Sequence, residues 1–168
     1  MRQLLTDLTF AVLAVATVAA APAAYAAKPS TAAQVDAILA RDEAPAGVVF
    51  EVSTTDSNAL RWALPQVKRQ AARLRAHFPK LPMAVVTHGR EEFALERGHR
   101  ADNETVHREV ESLVDNQDIP VHVCETFAER HGVSAEQFPD YVNVAPSGPA
   151  QIRNYEELGY IRVRVRRK

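Results

Sequence analysis

The sequence predicts an α/β domain whose five-stranded, mainly parallel sheet lies between helical layers. Three observations predict it. Five short runs rich in Val, Ile and Tyr are separated by stretches with helical periodicity, and repeated strand–helix alternation folds as a parallel sheet. The first two runs, Val48–Val52 and Met83–His88, are nearly continuous apolar segments, as expected of strands covered on both faces. In the last, Ile161, Val163 and Val165 alternate with Arg162, Arg164 and Arg166. That pattern suits an edge strand, where charges discourage further pairing, although the arginines could instead meet a partner subunit or an acidic surface.

The elements follow in order. Residues 1–26 read as a signal peptide. Arg2 gives a weakly positive start, Leu8 to Ala21 is interrupted only by Thr9 and Thr17, and Ala24-Tyr25-Ala26 has the small-x-small pattern of a signal-peptidase site. Cleavage is expected after Ala26, with a periplasmic or secreted product. The rival is an uncleaved anchor: the stretch from Leu8 to Ala27 is about the ~20 residues needed to cross a bilayer, though it is rich in Ala and broken by Pro22.

Residues 27–46 form an N-terminal extension with one short helix, Ala32 to Arg41, capped by Thr31 and carrying Val35, Ile38 and Leu39 on one face. The main domain is 47–168. After the first strand, Leu60, Leu64, Val67, Ala71, Leu74 and Phe78 make one helical stripe. Pro65 is expected in its first turn, with the segment before it as a separate turn. Gly89 to Asp102 is polar and reads as a surface loop with a helical turn, or as a flap over the strand ends. Asn103 is the expected cap of a helix that buries Val106, Val110 and Leu113. Pro120–Cys124 is the third strand, followed by a short helix, and Tyr141–Ala145 is the fourth. Ser147 or Gly148 caps the helix Pro149–Leu158, which Gly159 stops.

Composition excludes several classes of function. A formal net charge of −1 argues against nucleic acid as a main partner. Arg61, Lys68, Arg69, Arg73 and Arg75 form a basic helix surface without interleaved aromatics, so it reads as a solvated face. The six histidines show no pair at ligand spacing and there is one Cys, so no metal site is expected. No P-loop, dinucleotide fingerprint or Gly-x-Ser-x-Gly occurs, and no cofactor is expected. No membrane contact is expected once the leader is removed.

In a sheet of this kind, ligands sit beyond the carboxyl ends of the strands. Those ends deliver Ser53 to Asp56, His88-Gly89, Cys124-Glu125-Thr126 and Pro146 to Pro149. Cys124 is the sharpest candidate. It cannot form an internal disulfide, and a thiol at the start of a helix is favoured as thiolate, the reactive form; Glu125 opposes that ionisation. The alternative is a small buried side chain that only packs. His88 is the candidate proton or anion partner, against the reading of a histidine bonded to loop backbone. His122 shares the face of Cys124 but is expected to pack on a helix. Gly89, Ser147 and Gly148 are candidate ligand-binding positions through their amides.

The ordered set "GVVFEVSTTD", "MAVVTHG", "IPVHVCETFAERHGVSAEQF" and "VAPSGPAQIRNYEELGYIRVRV" resembles the DsrE/DsrF-like family of small sulfur-relay proteins, from about Gly47 to Val165. The resemblance implies a three-layer α/β/α sandwich with a five-stranded, mainly parallel sheet. It implies self-association into homo-oligomers. It also implies that a cysteine at the position of Cys124 carries sulfur as a persulfide in some members. With no second Cys to resolve a persulfide, transfer would go to another protein or a small thiol. The readings to distinguish are an exported sulfur carrier, a binding module without turnover, and a structural oligomer.

Overall fold

The computed structural model of the chain describes residues 28–167. The expected signal peptide and its cleavage point lie outside the described residues. Among the described residues no helix is long and apolar enough to cross a membrane.

The five apolar runs are strands β1 (Gly47–Val52), β2 (Met83–Thr87), β3 (Val121–Cys124), β4 (Asn143–Ala145) and β5 (Tyr160–Arg164). Their order is β4-β3-β2-β1-β5, and every neighbouring pair is parallel, so the sheet is all parallel where the sequence led to mainly parallel. β5 is an edge strand, as its alternating arginines indicate. The helices are α1 (Thr31–Leu39), α2 (Leu60–His77), α3 (Glu104–Gln117), α4 (Glu125–Glu129) and α5 (Gly148–Glu157).

The period of two divides the sheet into unlike faces. Val48, Phe50, Val52, Met83, Val85, Val121, Val123 and Val163 meet the apolar sides of α1, α2 and α3 in the main core. Each fully buried large side chain there, such as Phe50 or Leu74, contributes roughly 1.5–3 kcal/mol relative to exposure. The other face has a smaller cluster, Val49, Ala84 and Val86 under Ile152 of α5. By the same alternation Glu51, His88, His122 and Cys124 lie on this second face.

Several local expectations need correction. Ser30, not Thr31, caps α1: its hydroxyl accepts from Ala33 N at 3.1 Å. Val35 and Ile38 of that helix belong to the main core, so the N-terminal extension packs on the domain. Pro65 is inside α2, which runs unbroken from Leu60. An interior proline costs about 3 kcal/mol. Burying both Leu60 and Leu64, at 1% exposure, offsets it. Asn103 stands at the start of α3 without capping it, because its side chain is engaged by Arg61 and by the carbonyl of His99.

The segment Gly89–Asp102 is not a surface loop. It forms two short 3-10 turns, Arg90–Leu95 and Arg97–His99, and Glu91, Glu92 and Leu95 are fully buried. The basic residues of α2 are not simply solvated either: Lys68 pairs with Glu109 of α3, and Arg73 with Asp36 of α1.

Candidate functional site at the carboxyl edge of the sheet

Register brings the predicted residues together. β2 and β3 pair with Val86 opposite His122. Carrying that register two residues on sets His88 beside Cys124 on the same face, at the ~4.8 Å spacing of neighbouring strands. Gly148 gives an independent measure. A Cβ placed on it would lie 2.5 Å from His88 Cβ and 3.3 Å from Cys124 Cβ. The two Cβ atoms are therefore no more than about 6 Å apart, a separation across which imidazole and thiol can meet. The start of α5 thus sits directly on both residues, and only a glycine permits that approach.

Cys124 is 4% exposed, yet it lines a cavity of about 310 Å³ together with His88, Thr126, Phe127, Arg130, Ser147 and Pro149. The thiol is therefore tucked into a polar recess rather than sealed in hydrocarbon. Ser147 caps α5, as read from the sequence, by accepting from Ala150 N at 3.4 Å. Pro149 has no amide donor, which leaves the Gly148 amide as the remaining donor of that first turn. Gly89 is placed apart from Gly148. It lines an adjoining cavity of about 380 Å³, which shares His88 and Phe127 with the first. The Gly89 amide donates to Glu91 Oε1 at 2.9 Å and is not free for a ligand.

The helix after Cys124 is shorter in its effect than the sequence suggested. α4 has five residues, and the amide and hydroxyl of Thr126 both bond to the Pro146 carbonyl. The Cys124 amide is also committed, to Glu92 Oε2 at 3.0 Å. His122 packs on α5, as expected, with Nε2 bonded to the Tyr155 hydroxyl at 2.9 Å. Burial pushes the His122 imidazole below its usual range.

Three carboxylates were missed in the sequence. Glu51 of β1 accepts from His88 Nε2 at 3.1 Å and from Arg164 Nε at 2.9 Å. The bond from His88 holds the Glu51 carboxyl below its usual range, with Arg164 and Arg162 adding to the effect against burial. Because the carboxylate only accepts, Nε2 carries the proton of that bond, and in the neutral tautomer this leaves Nδ1 of His88 as the acceptor. Glu91 accepts from the Thr87 hydroxyl and the Gly89 and Thr54 amides, which ties β1 and β2 together at their ends. Glu92 is the unusual group. Burial pushes its carboxyl up to about 8, and among the described residues its Oε1 has no hydrogen-bond partner. Burial thus favours the protonated form of this acid behind Cys124. The signal for Glu51 was a lone carboxylate in a buried strand, which requires a partner. For Glu91 and Glu92 the polar segment gave none.

No group of three or more potential metal ligands occurs among the described residues. A larger depression of about 660 Å³ lies at the opposite end of the strands, against Arg75, Lys80, Tyr155 and Tyr160, and contains none of the predicted site residues.

No family model matches the chain, and no curated protein matches it. Solved structures do. MTH1491 of Methanobacterium thermoautotrophicum, a protein of unknown function, superposes with a TM-score of 0.53 at 18% identity, over 70% of this chain and 96% of that one. BT1422 of Bacteroides thetaiotaomicron, also of unknown function, gives 0.46 at 13% identity, over 71% and 95%. YchN of E. coli gives 0.46 at 14% identity, over 69% and 97%. The likeness to the first extends to the fold alone, an α/β domain built on a parallel sheet.

Proposed function

We propose that this protein is a sulfur carrier, in which Cys124 holds sulfane sulfur as a persulfide and passes it to a thiol on another molecule. The observation that supports this most is the placement of Cys124 and His88 in one recess, with Gly148 pressed against both. His88 Nδ1 takes the thiol proton, Glu51 fixes the ring by its bond to Nε2, and the thiolate attacks a sulfane sulfur of a polysulfide. One S–S bond forms at Cys124, one breaks in the donor, and the shortened polysulfide leaves with the electron pair. In the return step an acceptor thiolate attacks the outer sulfur and Cys124 leaves as thiolate.

The test is transfer. Protein loaded with labelled sulfane sulfur, desalted and mixed with a small thiol, passes label to the thiol; the Cys124→Ser protein passes none. Transfer by the serine variant at the wild-type level sinks the proposal.

Export and self-association belong to the same reading and come from the leader-like N-terminus and the family resemblance. An exported carrier would draw on sulfur outside the cytoplasm, and a subunit partner would sit against the sheet. The 4% exposure of Cys124 favours a second reading, a binding module in which the thiol only packs. Under that reading Cys124→Ser retains ligand affinity and any cellular phenotype.

A further inference from the structure

We infer that the recess over Cys124 takes a small oxoanion-terminated sulfane donor, of the thiosulfate class, with the Arg130 guanidinium as the anion's anchor. This rests on the sulfur-carrier reading and gives that site its substrate class.

The lining carries the argument. The recess contains a cation, an imidazole and two hydroxyls, and no carboxylate lines it. The acids nearby are turned to other work. Glu51 is taken by His88 and Arg164, and Glu92 by the Cys124 amide. Glu125 follows Cys124 directly but does not line the recess.

Arg73 pairs with Asp36, Arg97 with Asp140, Arg100 with Glu111, and Arg162 and Arg164 with Glu156 and Glu51, whereas Arg69, Arg75, Arg90 and Arg153 make no ion pair among the described residues; what sets Arg130 apart from these is that it lines the recess that holds Cys124 and His88. Arg130 makes none of the ion pairs or side-chain hydrogen bonds of the described residues. The adjoining cavity repeats the pattern, with Arg90 and His131 on its wall and no carboxylate. An exposed guanidinium without an internal partner, lining the same recess as a thiol, suits a ligand with oxygens at one end and a sulfane sulfur at the other.

The volume agrees: about 310 Å³ holds a molecule of a few heavy atoms and excludes a folded partner's domain.

The chemistry balances without a further reagent. The Cys124 proton goes to His88 Nδ1. Sγ attacks the outer sulfur of thiosulfate, the S–S bond of thiosulfate breaks, and sulfite leaves with that electron pair. Cys124 is left as a persulfide, and no net oxidant is consumed. Charge on the departing sulfite is what Arg130 stabilises.

Two small probes that differ only in charge read the site directly. Iodoacetate is an anion and iodoacetamide is neutral. Relative to a free thiol, Cys124 of the full-length protein should favour iodoacetate by about tenfold, the scale of one charge-assisted contact. Arg130→Gln should remove that preference and leave the iodoacetamide rate within about twofold. Arg130→Lys, which keeps a point charge, should restore part of it. Thiosulfate should add one sulfur atom to Cys124 of the wild type, and Arg130→Gln should slow that loading by about tenfold.

An unchanged iodoacetate preference in Arg130→Gln overturns the inference, as does equal thiosulfate loading in both proteins. If polysulfide loads Cys124 while the charge preference is absent, the anion site falls and the carrier survives. If the preference is present and no donor loads, the carrier reading falls and takes the substrate assignment with it. Arg130 is exposed, so its variants are expected to fold, and an unchanged melting temperature checks that.

Discussion

At the scale of single residues, the site depends on contacts too close for a larger side chain. Gly148→Ala would put a carbon 2.5 Å from His88 Cβ, where both atoms are set by backbone. Overpacking of this kind costs typically 1–3 kcal/mol. The expected result is a lower melting temperature, with loss of Cys124 reactivity beyond what the lost stability explains, because α5 must lift from β2 and β3. Calorimetry and alkylation kinetics on the same sample check this.

Glu51 gives a second residue-scale prediction. Its pKa is lowered in the fold, so its contribution to stability is present above the ordinary carboxylate value of 4.5 and is lost as pH falls through the lowered one. Glu51→Gln should destabilise by about 2 kcal/mol at pH 7, the scale of a hydrogen bond to a charged group, and by progressively less toward acid. It should also slow alkylation of Cys124 by iodoacetamide about tenfold at pH 7, since Nδ1 is no longer fixed as the base. Denaturant melts and a pH–rate profile measure the two effects.

Cys124 and His88 were legible as candidates because strand ends are readable from apolar runs. Their partner Glu51 was not read, because alternation places a side chain on a face without saying what stands opposite it two residues up the neighbouring strand.

At the scale of elements, the most informative segment is the 3-10 turn Arg90–Leu95 after β2. Two adjacent carboxylates there are fully buried and face different tasks. Glu91 closes the ends of β1 and β2, and Glu92 holds the Cys124 amide.

The Glu92 carboxyl is raised to about 8. The folded state therefore holds a proton that the unfolded state has released above about 4.5. Stability from this group is complete below that value and declines as pH rises toward 8, by up to about 1.4 kcal/mol per pH unit for one proton. His107 and His122, both lowered by burial, act oppositely and lose stability as pH falls below their ordinary 6.5. The comparison that isolates Glu92 is with Glu92→Gln, where the other groups cancel. The difference in melting temperature between wild type and variant should change steadily in the variant's favour from pH 5 to pH 8. A flat difference would show that Glu92 is ionised throughout.

This segment was misread in the sequence because polar composition indicates a loop only when the backbone has no other use for carboxylates. Here the ends of three strands supply amides and a hydroxyl that need acceptors. α2 shows the converse. Its apolar stripe was read correctly, but the position of Pro65 was not, since the burial of Leu60 depends on tertiary packing.

At the scale of the whole molecule, the sheet has one thick face and one thin one. α1, α2 and α3 cover the first with aliphatic side chains, and α5 alone provides the second with its small cluster. The all-parallel order places the ends of β2, β3 and β4 in a row, and those ends together with α4 line the recess. The fold was legible from five runs and their spacing, down to β5 at the edge. The thin face was not, because a strand sequence records burial without recording by what. Its polar residues, Glu51, His122, Arg162 and Arg164, pair among themselves and with α5. Self-association, part of the proposed function, would add cover to this face. Sedimentation of residues 27–168 should then give a mass above one chain that falls on dilution, and a constant monomer mass would remove oligomerisation from the proposal.

The account rests on Cys124 as a sulfur acceptor. The most direct measurement is intact-mass spectrometry of the folded protein after exposure to polysulfide and removal of the excess. The account predicts one added sulfur atom, located on the peptide containing Cys124, released by a small thiol, and missing from Cys124→Ser treated alike. An unmodified Cys124 under conditions that load a free low-molecular-weight thiol would contradict it.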